Sequence, residues 1–176
     1  MKITRARSGV PGPPDLDYAA DHSVAWGMRL WGQAKLPNLL VKVPGTAPGL
    51  TAVEELVVAG VGVNVTLQFS ETHYLQAAEA YMRALERRLE EHSSLSIPSV
   101  ASVFVSRWDA AANPLLPVEM HNRLGIAVAQ KAYSAYLALL ASDPLAGACR
   151  GRCPAHSACC GPPPRPRNWN YQIPIT

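Results

Sequence analysis

Lys42 is the residue whose setting most invites chemistry. It stands near the end of Asn38-Leu39-Leu40-Val41-Lys42-Val43-Pro44-Gly45-Thr46, a short apolar run closed by a Pro-Gly break. Length and branching predict a buried strand that ends just after the charge. A buried ammonium is costly unless it is paired or gives up its proton. A lysine that becomes a neutral amine is a nucleophile towards carbonyl carbon. The other reading of the same run is a strand-end lysine whose stem is buried and whose head reaches solvent.

Two later runs supply polar groups in the same position. Val63-Asn64-Val65-Thr66-Leu67 alternates strictly, so Asn64 and Thr66 share one face and the apolar residues the other. Val100-Ala101-Ser102-Val103-Phe104-Val105 is a third strand, with Ser102 and Phe104 on one face and Arg107 just beyond its end. Each of the three strands thus carries a polar group towards its carboxyl end, where α/β barrels and sheets hold their sites. Arg107 offers a planar fork of donors matched to phosphate oxygens, or else it is a rim arginine paired with Asp109.

The elements that must position these residues alternate with them. Residues 21–34 are expected to form a helix with Val24, Met28 and Trp31 as its apolar stripe, weakened at Gly27. A short helix is expected over 50–59, starting near Thr51 and ended by Gly60. Its adjacent Glu54 and Glu55 point in different directions and belong to a solvated face. The longest helix is expected over 70–92, capped by Ser70, with Tyr74, Ala78, Tyr81, Leu85 and Leu89 inward. On it, Glu79 and Arg83 should pair for about 0.3 kcal/mol. The run Glu86-Arg87-Arg88-Leu89-Glu90-Glu91 should be solvated, and His73 and His92 receive no role. Residues 110–117 are expected to be a loop, and 119–141 a helix with Ile126, Ala129, Tyr133, Tyr136, Leu137 and Leu140 inward. Strand, helix, strand, helix, strand, helix predicts parallel βαβ units.

These motifs, NLLVKVPGT, GLTAVEELVVAGVGVNVTLQFS and VASVFVSRWD, resemble the central part of the transaldolase family in order and spacing, most closely its longer bacterial-type members. The resemblance covers about residues 14 to 142 and neither end. It implies an α/β fold that is part of a (β/α)8 TIM barrel: about three βα units, a leading helix and irregular tails. It implies the pentose phosphate pathway's class I aldol transfer, in which a dihydroxyacetone unit passes between sugar phosphates on a lysine Schiff base. Lys42 would form the imine, with Asn64 and Thr66 beside it. Ser102 and Arg107 would bind the sugar phosphate and Phe104 would line the pocket. No metal or organic cofactor is implied. The implied substrates are fructose 6-phosphate, sedoheptulose 7-phosphate, glyceraldehyde 3-phosphate and erythrose 4-phosphate, with an oligomer possible. The family's early-strand glutamate would fall near Pro11, and no acid precedes Asp15. Its second phosphate arginine has no match. A fragment without turnover, binding only sugar phosphate or a protein partner, is the alternative.

A chain of 176 residues holds one domain. All thirteen acidic residues lie in 15–143 with nine of the sixteen Lys/Arg, so the net charge of +3 comes from the ends. That argues against a nucleic-acid face. With no expected membrane-length apolar run and no secretory pattern at the start, a cytoplasmic protein is expected. Residues 1–14 are basic, rich in Pro and Gly, and expected to be disordered; 15–143 form the barrel-like domain; 144–176 form a Cys/Pro-rich irregular tail. There, Cys149, Cys153, His156, Cys159 and Cys160 have zinc-ligand types at irregular spacing, and free thiols are the preferred reading. GPPPRPR is a short polyproline-type segment of the kind SH3-like domains bind. The loss of the family pattern at both ends is what a frame change or aberrant splicing would produce.

Overall fold

The computed structural model describes residues 9–10, 20–34, 36, 39–142 and 170–174. The chain alternates strand and helix: β1 (Gly9–Val10), α1 (Ala20–Ala34), β2 (Leu40–Pro44), α2 (Ala47–Val58), β3 (Val63–Gln68), α3 (Glu71–Glu90), β4 (Ser99–Phe104), α4 (Ser106–Ala112), α5 (Leu124–Ser142) and β5 (Asn170–Pro174). One sheet runs in the order β1-β2-β3-β4-β5. Its first four strands are parallel, and β5 lies antiparallel to β4. The alternating βα units are those of a partial α/β barrel.

Alternation along the strands divides the sheet into two faces. Val41, Val43, Val63, Val65, Ala101 and Val103 enter the main core with Val53, Leu56, Val57, Tyr74, Tyr81 and Leu85 from α2 and α3. The other face carries Leu40, Lys42, Pro44, Asn64, Thr66, Val100, Ser102 and Phe104, the alternate positions.

Local chemistry sets the helix ends. Thr46 caps α2 by accepting the Gly49 N–H at 3.4 Å, and a proline follows in the first turn, where its missing N–H costs nothing. The helix therefore starts at Ala47, earlier than the expected 50. Ser70 caps α3, accepting the His73 N–H at 3.1 Å. Gly60 turns the chain out of α2 at φ +85°, a conformation that favours glycine.

Several expectations are corrected. In α1 the fully buried positions are Ser23 and Gly27; of the expected stripe, Val24 and Trp31 pack partly buried against the core and Met28 is exposed. A Cβ on Gly27 would stand 2.8 Å from a Leu56 methyl, so the glycine lets the helix approach. Arg83 pairs across to Glu54 at 2.9 Å, and Arg87 reaches Glu54 and Glu55 at 3.1 and 2.6 Å. The outer carboxylates therefore join two helices. Arg88 is buried, donating to the carbonyls of Ser94 (2.7 Å), Val57 (3.4 Å) and Val58. It thus satisfies the end of α2, whose last carbonyls have no helical partners. Leu89 is exposed.

The expected loop at 110–117 begins inside α4 and continues as a 3-10 turn, Asn113–Leu115. A second turn, Val118–Met120, precedes α5, so that helix starts at Leu124 rather than 119. Ala129, Ala132, Ala135, Tyr136 and Leu140 are its buried side, while Ile126, Tyr133 and Leu137 are exposed. By length and composition Val118–Ala141 could cross a membrane, contrary to expectation. The regular helix is shorter, and Tyr136 packs edge-on to Tyr74 of α3 at 6.5 Å, as a core helix does.

Gly9–Val10 and Asn170–Pro174 fall in the segments expected to be disordered or irregular, yet they are edge strands. The sheet's outer N–H and C=O groups give any extended segment a ladder to join. The zinc-like segment and GPPPRPR lie outside the described residues.

Candidate active site

The register brings the predicted residues to one place. Lys42 is the Cα partner of Asn64, which in turn is the partner of Val100, and Pro44 is the partner of Thr66. In parallel strands such partners face the same way, so Lys42, Asn64, Thr66 and Ser102 all rise from the face opposite the valine core. Asn64, Thr66 and Ser102 are each 5% exposed, whereas Lys42 is half-buried. The Ser102 hydroxyl donates to Asn64 Oδ1 at 2.7 Å, tying β4 to β3 beside the lysine strand. Thr66 donates its hydroxyl to the Val43 carbonyl at 3.3 Å, which ties β3 to β2. Lys42 has no ion pair among the described residues.

Arg107 lies in the first turn of α4, exposed, with its guanidinium carbon 4.8 Å from the centre of the Phe104 ring. It does not pair with Asp109. That carboxylate is buried and accepts the Gly125 N–H at 2.9 Å, tying α4 to the start of α5. Arg107 is therefore held by an aromatic face and not by an acid, leaving its donors for an anion.

Other features were not expected from sequence. Phe69 stacks on Phe104, with ring centres 5.2 Å apart and 25° between planes. The Trp108 indole N–H donates to the Phe69 carbonyl at 2.7 Å, and the Phe69 N–H donates to His73 Nδ1 at 3.2 Å. His73 thus has a partner. The one sequence signal was the place of Phe69 just before the capping Ser70, where an apolar residue often fixes the chain's entry into a helix. Leu67, at φ +58°, makes β3 irregular near its end, and the β3–β4 register shifts between Val65 and Gln68. Gln68 is fully buried, and its amide has no hydrogen-bond partner among the described residues.

Every described carboxylate sits on or at the end of a helix or 3-10 turn, and none on a strand. Glu54 and Glu55 are on α2, engaged with α3. Hydrogen bonding from Arg87 lowers the Glu55 carboxyl's pKa below its ordinary value, against a smaller opposing effect of burial. Burial, with a smaller contribution from Tyr136, pushes the Tyr74 phenol well above its ordinary value. The described face thus offers an amine, an amide, two hydroxyls and a guanidinium beside it, a set suited to holding a polyhydroxy carbonyl compound with an anionic end.

The family described as Transaldolase/Fructose-6-phosphate aldolase matches residues 13–145. The chain is 39% identical over 136 residues to the transaldolase of Saccharopolyspora erythraea, covering 74% of this chain and 37% of that protein. It is 42% identical over 99 residues to transaldolase 2 of Nostoc punctiforme, covering 56% and 26%. To the transaldolase of Mycolicibacterium smegmatis it is 35% identical over 156 residues, covering 81% and 42%. The chain thus spans well under half the length of these relatives. With alternating βα units and a match over most of its length, this chain belongs to the transaldolase/fructose-6-phosphate aldolase family.

Proposed function

We propose that Lys42 is the imine-forming amine of a transaldolase reaction, the transfer of a dihydroxyacetone unit between sugar phosphates. In its neutral form the amine adds to the ketone of a ketose phosphate, and loss of water gives an iminium. That cation takes up the electron pair released when the adjacent carbon–carbon bond breaks. An aldose leaves, and the three-carbon unit on Lys42 adds to the aldehyde of a second aldose phosphate. Water then hydrolyses the imine and frees the lysine. No metal or organic cofactor is required by these steps.

In this reading Asn64 and Thr66 hydrogen-bond the sugar or a water beside Lys42. Ser102 and Arg107 hold the phosphate end, and Phe104 lines the pocket. Fructose 6-phosphate and sedoheptulose 7-phosphate are the donors; erythrose 4-phosphate and glyceraldehyde 3-phosphate are the acceptors. The location would be cytoplasmic, where the pentose phosphate pathway runs. The observation that supports this reading best is the shared face of Lys42, Asn64, Thr66 and Ser102 across three parallel strands.

A second reading is favoured by the carboxylates. Aldol cleavage needs a base to take a hydroxyl proton, and no described strand carries an acid. The chain would then bind the ketose phosphate and form the imine without transferring the three-carbon unit. Incubation with fructose 6-phosphate and erythrose 4-phosphate separates the two. Sedoheptulose 7-phosphate that disappears in Lys42→Met supports transfer, and its absence supports the second reading.

A further inference from the structure

We propose that Phe69 is a positioning residue for Arg107, setting how that guanidinium meets a phosphomonoester. This rests on the reading of Arg107 as the anion-gripping residue and extends it to a side chain without a role so far. Arg107 is exposed and long, so unsupported it would lose much rotamer freedom on gripping an anion. The Phe104 face beneath it reduces that loss by holding the planar group in place beforehand. Phe104 is itself at the end of β4, and its ring needs a second support to hold one orientation. Phe69 supplies it by stacking on the ring from β3's end.

The backbone is fixed through the same residue. Trp108, next in sequence to Arg107, donates to the Phe69 carbonyl, while the Phe69 N–H donates to His73 in the first turn of α3. His73 also meets the Phe69 ring edge-on at 6.5 Å. The support thus runs from α3 through Phe69 to Phe104 and Trp108, and from both to Arg107. Phe69 needs no contact with substrate to act, because it governs the plane in which the fork of donors lies.

Inorganic phosphate is the first probe, titrated by calorimetry into the full chain. Phe69→Leu keeps apolar bulk but removes the flat face, and should weaken phosphate binding about fivefold. Phe69→Tyr should restore it, and Arg107→Ala should abolish it. Borohydride trapping on Lys42 is the second probe. In Phe69→Leu the fructose 6-phosphate concentration giving half-maximal trapping should rise about fivefold, while that for dihydroxyacetone, which has no phosphate, stays unchanged. If Phe69→Leu does not fold, Trp108→Phe cuts the bond to Phe69 while keeping a ring, and should weaken phosphate binding by about half. Phosphate affinity unchanged in these variants, no binding by the parent chain, or an equal shift for both carbonyl compounds would overturn the proposal. Trapping that fails for both compounds in the parent chain refutes the Lys42 reading alone, and the phosphate titration then decides this one.

Discussion

Ser102→Ala tests whether the polar face is wired as a unit. The hydroxyl it removes donates to Asn64 Oδ1 at 2.7 Å, and both residues are 5% exposed. The change loses one short buried hydrogen bond and leaves the amide oxygen where water reaches it poorly, a cost of about 1–3 kcal/mol. For a chain of this size about 2 kcal/mol lowers the melting temperature by roughly 4–8 °C. Asn64→Ala should cost a similar amount or more, since it orphans the hydroxyl and leaves a void. In the double variant the bond is lost only once, so the combined cost should fall short of the sum by about 1 kcal/mol. Urea denaturation of the four proteins measures all three quantities. Ser102→Ala within about 0.5 kcal/mol of the parent, or strict additivity, would mean that the two groups are not joined in solution.

Arg87 and Arg88 adjoin in sequence but should behave differently. Arg88→Met should cost about 3 kcal/mol in urea denaturation by stranding the carbonyls of Val57, Val58 and Ser94, while Arg87→Met, whose ion pairs are partly exposed, should cost less than about 1 kcal/mol. Glu55 has a lowered pKa when folded, chiefly through the Arg87 hydrogen bond. Its contribution is therefore present above the ordinary glutamate range and lost as pH falls through the folded value; Glu55→Gln should flatten that part of the stability–pH curve, by well under about 1 kcal/mol. Two helical glycines should respond to alanine with opposite signs. A Cβ on Gly32 meets nothing within 4 Å, so Gly32→Ala should stabilise by up to about 1 kcal/mol, whereas one on Gly49 would lie 1.9 Å from the Pro44 carbonyl oxygen, so Gly49→Ala should destabilise. Thermal melts of both variants settle the signs.

Much of the sheet was legible because its signals are local. Alternation in β3 and β4 put Asn64, Thr66 and Ser102 on the face away from the main core, and Ser70 marked the start of α3 as a capping residue does. The inner side of α5 was not legible. That helix is apolar nearly all round, so Ile126, Tyr133 and Leu137 look no different in sequence from Tyr136 and Leu140, and only packing on α3 distinguishes them. Gly27 looked like a weak point by helix propensity because propensity carries no information about Leu56 approaching it. Arg88 looked solvated beside Arg87 because neighbouring residues on a helix point in different directions, and sequence does not say which one meets the end of α2. Phe69 and Trp108 support Arg107 through contacts between β3 and β4 ends, 39 residues apart, which no local pattern announces.

The proposed activity turns on Lys42 condensing with a ketose phosphate. The direct measurement is borohydride reduction of the chain in the presence of fructose 6-phosphate, followed by mass mapping of its lysine peptides. A sugar-derived mass increase is expected on the peptide bearing Lys42 and none on that bearing Lys131. An unmodified Lys42, or labelling spread evenly over the lysines, would contradict it.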